Sequence, residues 1–102
     1  MARRIVKRVQ AKRDITSHFL YFAEIDLDIA ERFRTAVDRT FGLLIRFPKI
    51  DARRISANAR LNELRMWQIA DFPDYLIFYQ PEDNVIRIVR VLHASQDQSR
   101  RF

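Results

Sequence analysis

The chain has 102 residues, 48% hydrophobic and 31% charged, which is the composition of one globular domain, since a second core would leave each half near the ~40-residue limit for unaided folding. It has no cysteine, which excludes a disulfide framework, a thiolate nucleophile and a Cys-ligated zinc site, and no apolar run approaches the ~18 residues of a membrane span. Net charge is +6, and the excess lies in residues 1–13, which hold Arg3, Arg4, Lys7, Arg8, Lys12 and Arg13 and no acid; the other 13 basic residues match 13 acidic ones. That distribution fits a nucleic-acid footprint, a strand edge guarded by charge, a transit peptide, or docking of an acidic protein. The cytosol is the expected compartment, because nothing in the chain needs oxidation and no secretory h-region is present.

The β-leaning residues 3–9 predict a first strand. Ile15, Phe19, Phe22 and Ala23 then fall on one face of a helix over 12–25. Asp28, three residues before Glu31, reads as the N-cap of a second helix. Ala30, Phe33, Val37, Phe41 and Leu44 form its apolar stripe, and Pro48 sets its end near Arg46. The short connection at Leu27 predicts a helical hairpin. Residues 49–60 are polar and irregular and read as a loop. Three β-rich runs follow at 64–69, 75–80 and 85–92, with hairpin-length turns at 70–74 and 81–84. A polar tail closes the chain. The order is β-α-α-β-β-β, an α+β fold with the helical hairpin packed on one face of a small antiparallel sheet.

Pairing Gln80 with Val85 makes opposite residue numbers sum to 165, and pairing Ile69 with Tyr75 makes them sum to 144. In that register Arg65, Trp67, Ile69, Tyr75, Ile77, Tyr79, Ile86, Ile88, Arg90 and Leu92 face the helices. Met66, Leu76, Phe78, Val89 and Val91 face away, and an uncovered apolar face of that kind marks a partner site. Arg90 would lie among apolar neighbours and so requires a carboxylate. Asp14, which opens the first helix, is the nearest acid to that junction. The expectation is a structural Asp14–Arg90 ion pair.

The runs Leu64-Arg-Met-Trp-Gln-Ile and Tyr75-Leu-Ile-Phe-Tyr, the acidic turn Glu82-Asp83 and the ending Val89-Arg-Val-Leu-His-Ala-Ser-Gln-Asp97 resemble the ParE branch of the RelE/ParE toxin superfamily. Upstream, Ala11-Lys-Arg-Asp-Ile15, Tyr21-Phe-Ala and a helix ending at Phe47-Pro48 are similar to the same branch. The resemblance spans nearly the whole chain and implies a RelE/ParE-like fold in a bacterial cytoplasm, which removes the transit-peptide reading. It also implies the toxin of a type II toxin–antitoxin pair, neutralised by a small acidic antitoxin. ParE-like members are known as inhibitors of DNA gyrase, and RelE-like members as ribosome-dependent mRNA endoribonucleases.

Cleaving RNA through its 2′-OH needs a base, a cation for the phosphorane charge and an acid. RelE-like nucleases place cations where this chain matches with Met66, Gln68, Leu76 and Ala94, none of which can carry charge. His93 and Arg87 are what remains. The expectation is therefore a non-enzymatic toxin with no catalytic residues. His18 and His93 have no ligand-spaced partner, so no metal is expected. There is no Gly-rich phosphate loop, and none of Ser17, Ser56, Ser95 and Ser99 sits in a nucleophile elbow, so no cofactor is expected either. The expected target contacts are His93, Asp97, Arg100, Arg101 and Phe102, where paired arginines flank a terminal aromatic. The expected antitoxin contacts are Met66, Leu76 and Phe78. A basic nucleic-acid-binding module is the second alternative to the gyrase reading, after the nuclease.

Overall fold

The computed structural model describes residues 3–50 and 64–96. In chain order these form strand β1 (Arg4–Lys7), helices α1 (Val9–Ile25) and α2 (Leu27–Arg46), and strands β2 (Arg65–Ile69), β3 (Phe72–Pro81) and β4 (Val85–His93). The sheet order is β1-β4-β3-β2. The predicted element order holds. The last three strands form the predicted antiparallel meander, and β1 makes the sheet mixed by joining β4 in parallel. The predicted loop falls mostly outside the described residues, as does the tail beyond Gln96.

Element ends differ from expectation for local reasons. β1 stops at Lys7, and Val9, though β-branched, is already helical. Asp26, not Asp28, is the hinge of the helical pair. Its N–H donates to Phe22 O, ending α1, and its carboxylate accepts from Asp28 N at 2.8 Å, opening α2. One residue thus satisfies orphan groups at two helix ends. Glu31 pairs with Arg34 at 2.7 Å and does not complete a capping box. The turn between β2 and β3 is only Ala70-Asp71, shorter than the expected 70–74. Asp71 has φ 68°, a left-handed conformation that a short polar side chain tolerates.

The β2–β3 register sums to 144 from Arg65↔Tyr79 to Gln68↔Leu76, as expected, and then shifts so that Ile69 meets Phe72. The expected β3–β4 register of 165 is wrong. Residues pair as Tyr75↔His93 through Phe78↔Arg90, and after a bulge as Tyr79↔Ile88 through Pro81↔Ile86. The cause is that β3 continues through Pro81, so the hairpin turn is tighter than the β-rich runs imply. The shift exchanges faces at the end of β4. Val91, not Leu92, joins the helix-side core with Phe33, Phe41, Ile77 and Ile88. Leu92 joins Leu64, Phe78 and Val89 in a second cluster on the opposite face.

The stripe of α2 is buried as its spacing requires, from Ala30 to Leu44. Thr40 within it locks helix to sheet. Its hydroxyl donates to Ala36 O at 2.7 Å and accepts from Ala70 N at 3.0 Å. Aromatic rings fill the junction of both helices with β3. Phe33 is fully buried, with Phe22, Phe72 and Tyr75 centred 5.1, 5.2 and 5.3 Å away.

Candidate functional site

β1 covers only part of the β4 edge. Its last ladder contact is Arg8 N donating to Ile88 O at 3.0 Å. Beyond that point the outward backbone groups of β4 would lie open, and buried backbone groups need partners. Helix α1 supplies them from two residues one turn apart. The Asp14 carboxylate accepts from Val91 N at 3.0 Å, and His18 Nε2 lies 2.8 Å from Val91 O. A carbonyl oxygen only accepts, so His18 Nε2 carries the proton.

Asp14 has a second task. Arg90 Nε and Nη2 donate to its two oxygens at 2.7 and 2.8 Å, a bidentate pair with both side chains buried. Sequence reasoning places this pair through Arg90 on the helix face. The structure reaches it differently. Arg90 pairs with Phe78 across the ladder, off the helix side, and its guanidinium meets Asp14 past the end of β1.

His18 is the residue that sequence reasoning passes over. The available signal was its position four residues after Asp14, on the same helix face. Burial lowers its pKa below the usual 6.5, and this outweighs the hydrogen bond to Val91 and the charge of Asp14, both of which raise it. The unfolded chain therefore binds more protons at this site. The stability that neutral His18 contributes is fully present above pH 6.5, declines as pH falls below that value, and is gone below the folded-state pKa. His18→Gln retains an N–H for Val91 O but does not titrate. The expected result is that urea midpoints of the wild type fall between pH 7.5 and 5.5 more steeply than those of His18→Gln. Parallel slopes would assign the pH dependence elsewhere.

Tyr75 lies between two imidazoles, its ring centred 4.9 Å from both His18 and His93 in edge-on geometry. Burial, with Tyr21 and Asp74 adding to it, raises the Tyr75 pKa, so the phenol is neutral at physiological pH. His93 ends β4, and its surroundings are fixed. Its Nδ1 accepts from Ser95 N at 3.0 Å and lies 2.7 Å from Ser95 Oγ, and its backbone N–H donates to Gln96 Oε1 at 2.7 Å. Ala94 N is tied to Asp74 O at 2.7 Å. A half-exposed aromatic and imidazole surface thus sits on a strand end held by hydrogen bonds.

Of the target candidates only His93 is described; Asp97, Arg100, Arg101 and Phe102 lie outside the described residues. Of the antitoxin candidates, Met66 and Leu76 are half-buried, but Phe78 is only 1% exposed. The expectation of an open apolar face is therefore corrected at Phe78, which packs with Leu64, Val89 and Leu92 and offers no side chain to a partner of the free chain. Arg87 and His93, the two groups left for nuclease chemistry, do not converge. They are six residues apart on β4, about 20 Å at strand rise. Arg87 is also paired to Glu82 at 3.1 Å. Among the described residues no group of three or more His, Cys, Asp or Glu side chains is placed to hold a metal ion.

The fold is similar to a chain of the chromosomal ParDE toxin–antitoxin system from P. aeruginosa, with a TM-score of 0.71 at 13% identity over 91% of this chain and 96% of that one. None of the curated proteins compared with the chain matches it. Residues 5–98 match the family model described as the ParE toxin of the type II toxin–antitoxin system parDE. With nearly the whole sequence under that match and the helical hairpin on its sheet in place, this chain belongs to the ParE toxin family.

Proposed function

We propose that this chain arrests bacterial growth by binding a protein and not by breaking bonds, with DNA gyrase as the target and a cognate antitoxin as the neutraliser. The observation that carries the non-enzymatic reading is the separation of Arg87 and His93. A base and a cation that serve one phosphodiester must both reach it, and ~20 Å does not allow that. The surroundings agree: Arg90 is committed to Asp14, and Met66, Gln68, Leu76 and Ala94 offer no charge. Among the described residues no helix is long and apolar enough to cross a membrane, which fits action in the cytoplasm.

For target engagement we propose the hydrogen-bonded end of β4 at His93 together with Asp97, Arg100, Arg101 and Phe102. The support is a fixed imidazole beside Tyr75, continued in sequence by an arginine pair and an aromatic, side chains enriched in binding hot spots. For the antitoxin we propose contact at Met66 and Leu76, with Phe78 supporting them from within the sheet.

Two assays on the purified chain test the reading. The expected results are inhibition of gyrase supercoiling and intact mRNA in a translating extract. Codon-specific cleavage of ribosome-bound mRNA would overturn it. Deleting residues 99–102 should weaken growth arrest while leaving the unfolding midpoint in place, and equal toxicity would remove those residues from the target contact.

A further inference from the structure

The basic excess of the sequence becomes a surface where β1 runs into α1. Arg4, Arg8, Lys12 and Arg13 are exposed there. None of them pairs with an acid among the described residues, where the acids held by arginine are Glu31, Asp71, Glu82 and Asp14. Between Arg3 and Ala23 the chain has a single acid, Asp14, which is buried against Arg90 and so offsets none of this charge. The turn beside β1, to which Arg4 N donates at Asn84 O, has its Glu82 committed to Arg87 at 3.1 Å. Lys7 belongs to the other side, with its ammonium 5.8 Å from the Phe41 ring. Arg4 and Arg8 lie about 13 Å apart at strand rise, and Arg8 and Lys12 are one helical turn apart.

These cations stand where a helix is least tolerant of them. The start of a helix is the positive end of its dipole, and its first N–H groups lack partners. Helix α1 opens at Arg8 with no side-chain cap and no acid in its first turn, and Lys12 and Arg13 follow directly. Protection of the β1 edge does not account for the pattern. Charges on the strand itself would serve that end, and either sign would do.

We infer that this β1–α1 surface binds the phosphate backbone of duplex DNA. A line of unpaired arginine and lysine side chains with no opposing acid is the electrostatic footprint of phosphate contact. An acidic peptide would need an apolar floor as well, and Val9 is the one apolar side chain among the exposed residues from Arg4 to Ser17. A single strand would need exposed rings on which its bases could stack, and no aromatic is among those exposed residues. The surface flanks the first half of β4, with Arg4 opposite Val85 and Arg8 N on Ile88 O. His93 ends the same strand about 17 Å beyond Ile88, so DNA and a protein at His93 can be held together. The DNA contact needs only this chain and therefore stands or falls apart from the gyrase reading.

The test follows the fluorescence anisotropy of a short labelled duplex titrated with the purified full-length chain. Four phosphate contacts predict a slope of log affinity against log salt of roughly −3.5, a loss of roughly 100-fold between about 50 and 200 mM salt. Arg8→Gln/Lys12→Gln/Arg13→Gln should weaken binding at low salt by at least about tenfold and flatten the slope to roughly −1. Its melting temperature should not fall, because glutamine keeps the helix propensity and removes charge that opposes the dipole. Arg32→Gln/Arg34→Gln/Arg39→Gln alters the net charge equally on α2 and should stay within about threefold of the wild type, since salt screens distant charge. No duplex binding at low salt would overturn the proposal, and so would an equal loss in both triple variants. Tighter binding of a single strand of the same length would assign the surface to unpaired nucleic acid and overturn it. Weaker gyrase inhibition by the Arg8/Lys12/Arg13 variant, with no DNA binding by the wild type, would assign the cations to a protein and overturn it too.

Discussion

Asp14→Ala is expected to lower the unfolding free energy by ~3–5 kcal/mol, a large share of the 5–15 kcal/mol typical of a small domain. The substitution leaves the Arg90 guanidinium buried without its bidentate partner and removes the acceptor of Val91 N. Both losses fall on groups held away from water, where an unmet donor costs most. Asp14→Asn keeps an acceptor for Val91 and should lose less. Arg90→Ala leaves the carboxylate its bond to Val91 N but removes its counter-charge, and a loss of similar size is expected. The partners act as one unit, so Asp14→Ala/Arg90→Ala should cost clearly less than the two single changes together. Urea unfolding of all four proteins closes the cycle, and a coupling below ~0.5 kcal/mol would show that the pair does not hold the fold. If Arg90 served the target instead, Arg90→Ala would reduce growth arrest at an unchanged unfolding midpoint.

Phe33→Ala should cost a further ~3–5 kcal/mol by a different mechanism. Phe33 is fully buried, and its ring is the hub on which Phe22, Phe72, Tyr75 and His18 converge, the last at 6.1 Å and edge-on. Truncation removes transfer energy and edge-to-face contacts together, and it leaves a cavity that three rigid rings cannot collapse to fill. The effect reaches the strand end, because the Tyr75 ring packs against both Phe33 and His93. Thermal and urea unfolding measure the loss, and Phe33→Leu should retain part of it. A cost below ~1.5 kcal/mol would mean that the rings repack.

The local periods made much of this molecule legible. Apolar residues three and four apart place Ala30, Phe33, Val37, Phe41 and Leu44 on one side of α2, and each is buried. The β2–β3 register holds as read from Arg65 to Gln68, although its anchor pair Ile69–Tyr75 does not form, because the ladder shifts after Gln68 and Ile69 meets Phe72 across a shorter turn. The β3–β4 register could not be read, because it depends on a bulge at Val89 and on Pro81 ending β3, and neither changes the alternation of side-chain types. Phe78 illustrates the same limit at the site. It reads as an exposed partner contact, yet it is 1% exposed and packs with Leu64, Val89 and Leu92.

By itself the sequence determined the element order, the buried stripe of α2, and the need of Arg90 for a carboxylate. Each follows from helix and strand geometry or from the cost of an unpaired charge, which act residue by residue. Only the tertiary structure decided where β1 stops, and hence what β4 lacks. The missing ladder partners of Val91 come from Asp14 and His18, 77 and 73 residues away along the chain. No local pattern encodes such a contact. It arises because a four-residue strand leaves a longer neighbour's edge unpaired, and the helix that follows that strand is the nearest element able to satisfy it.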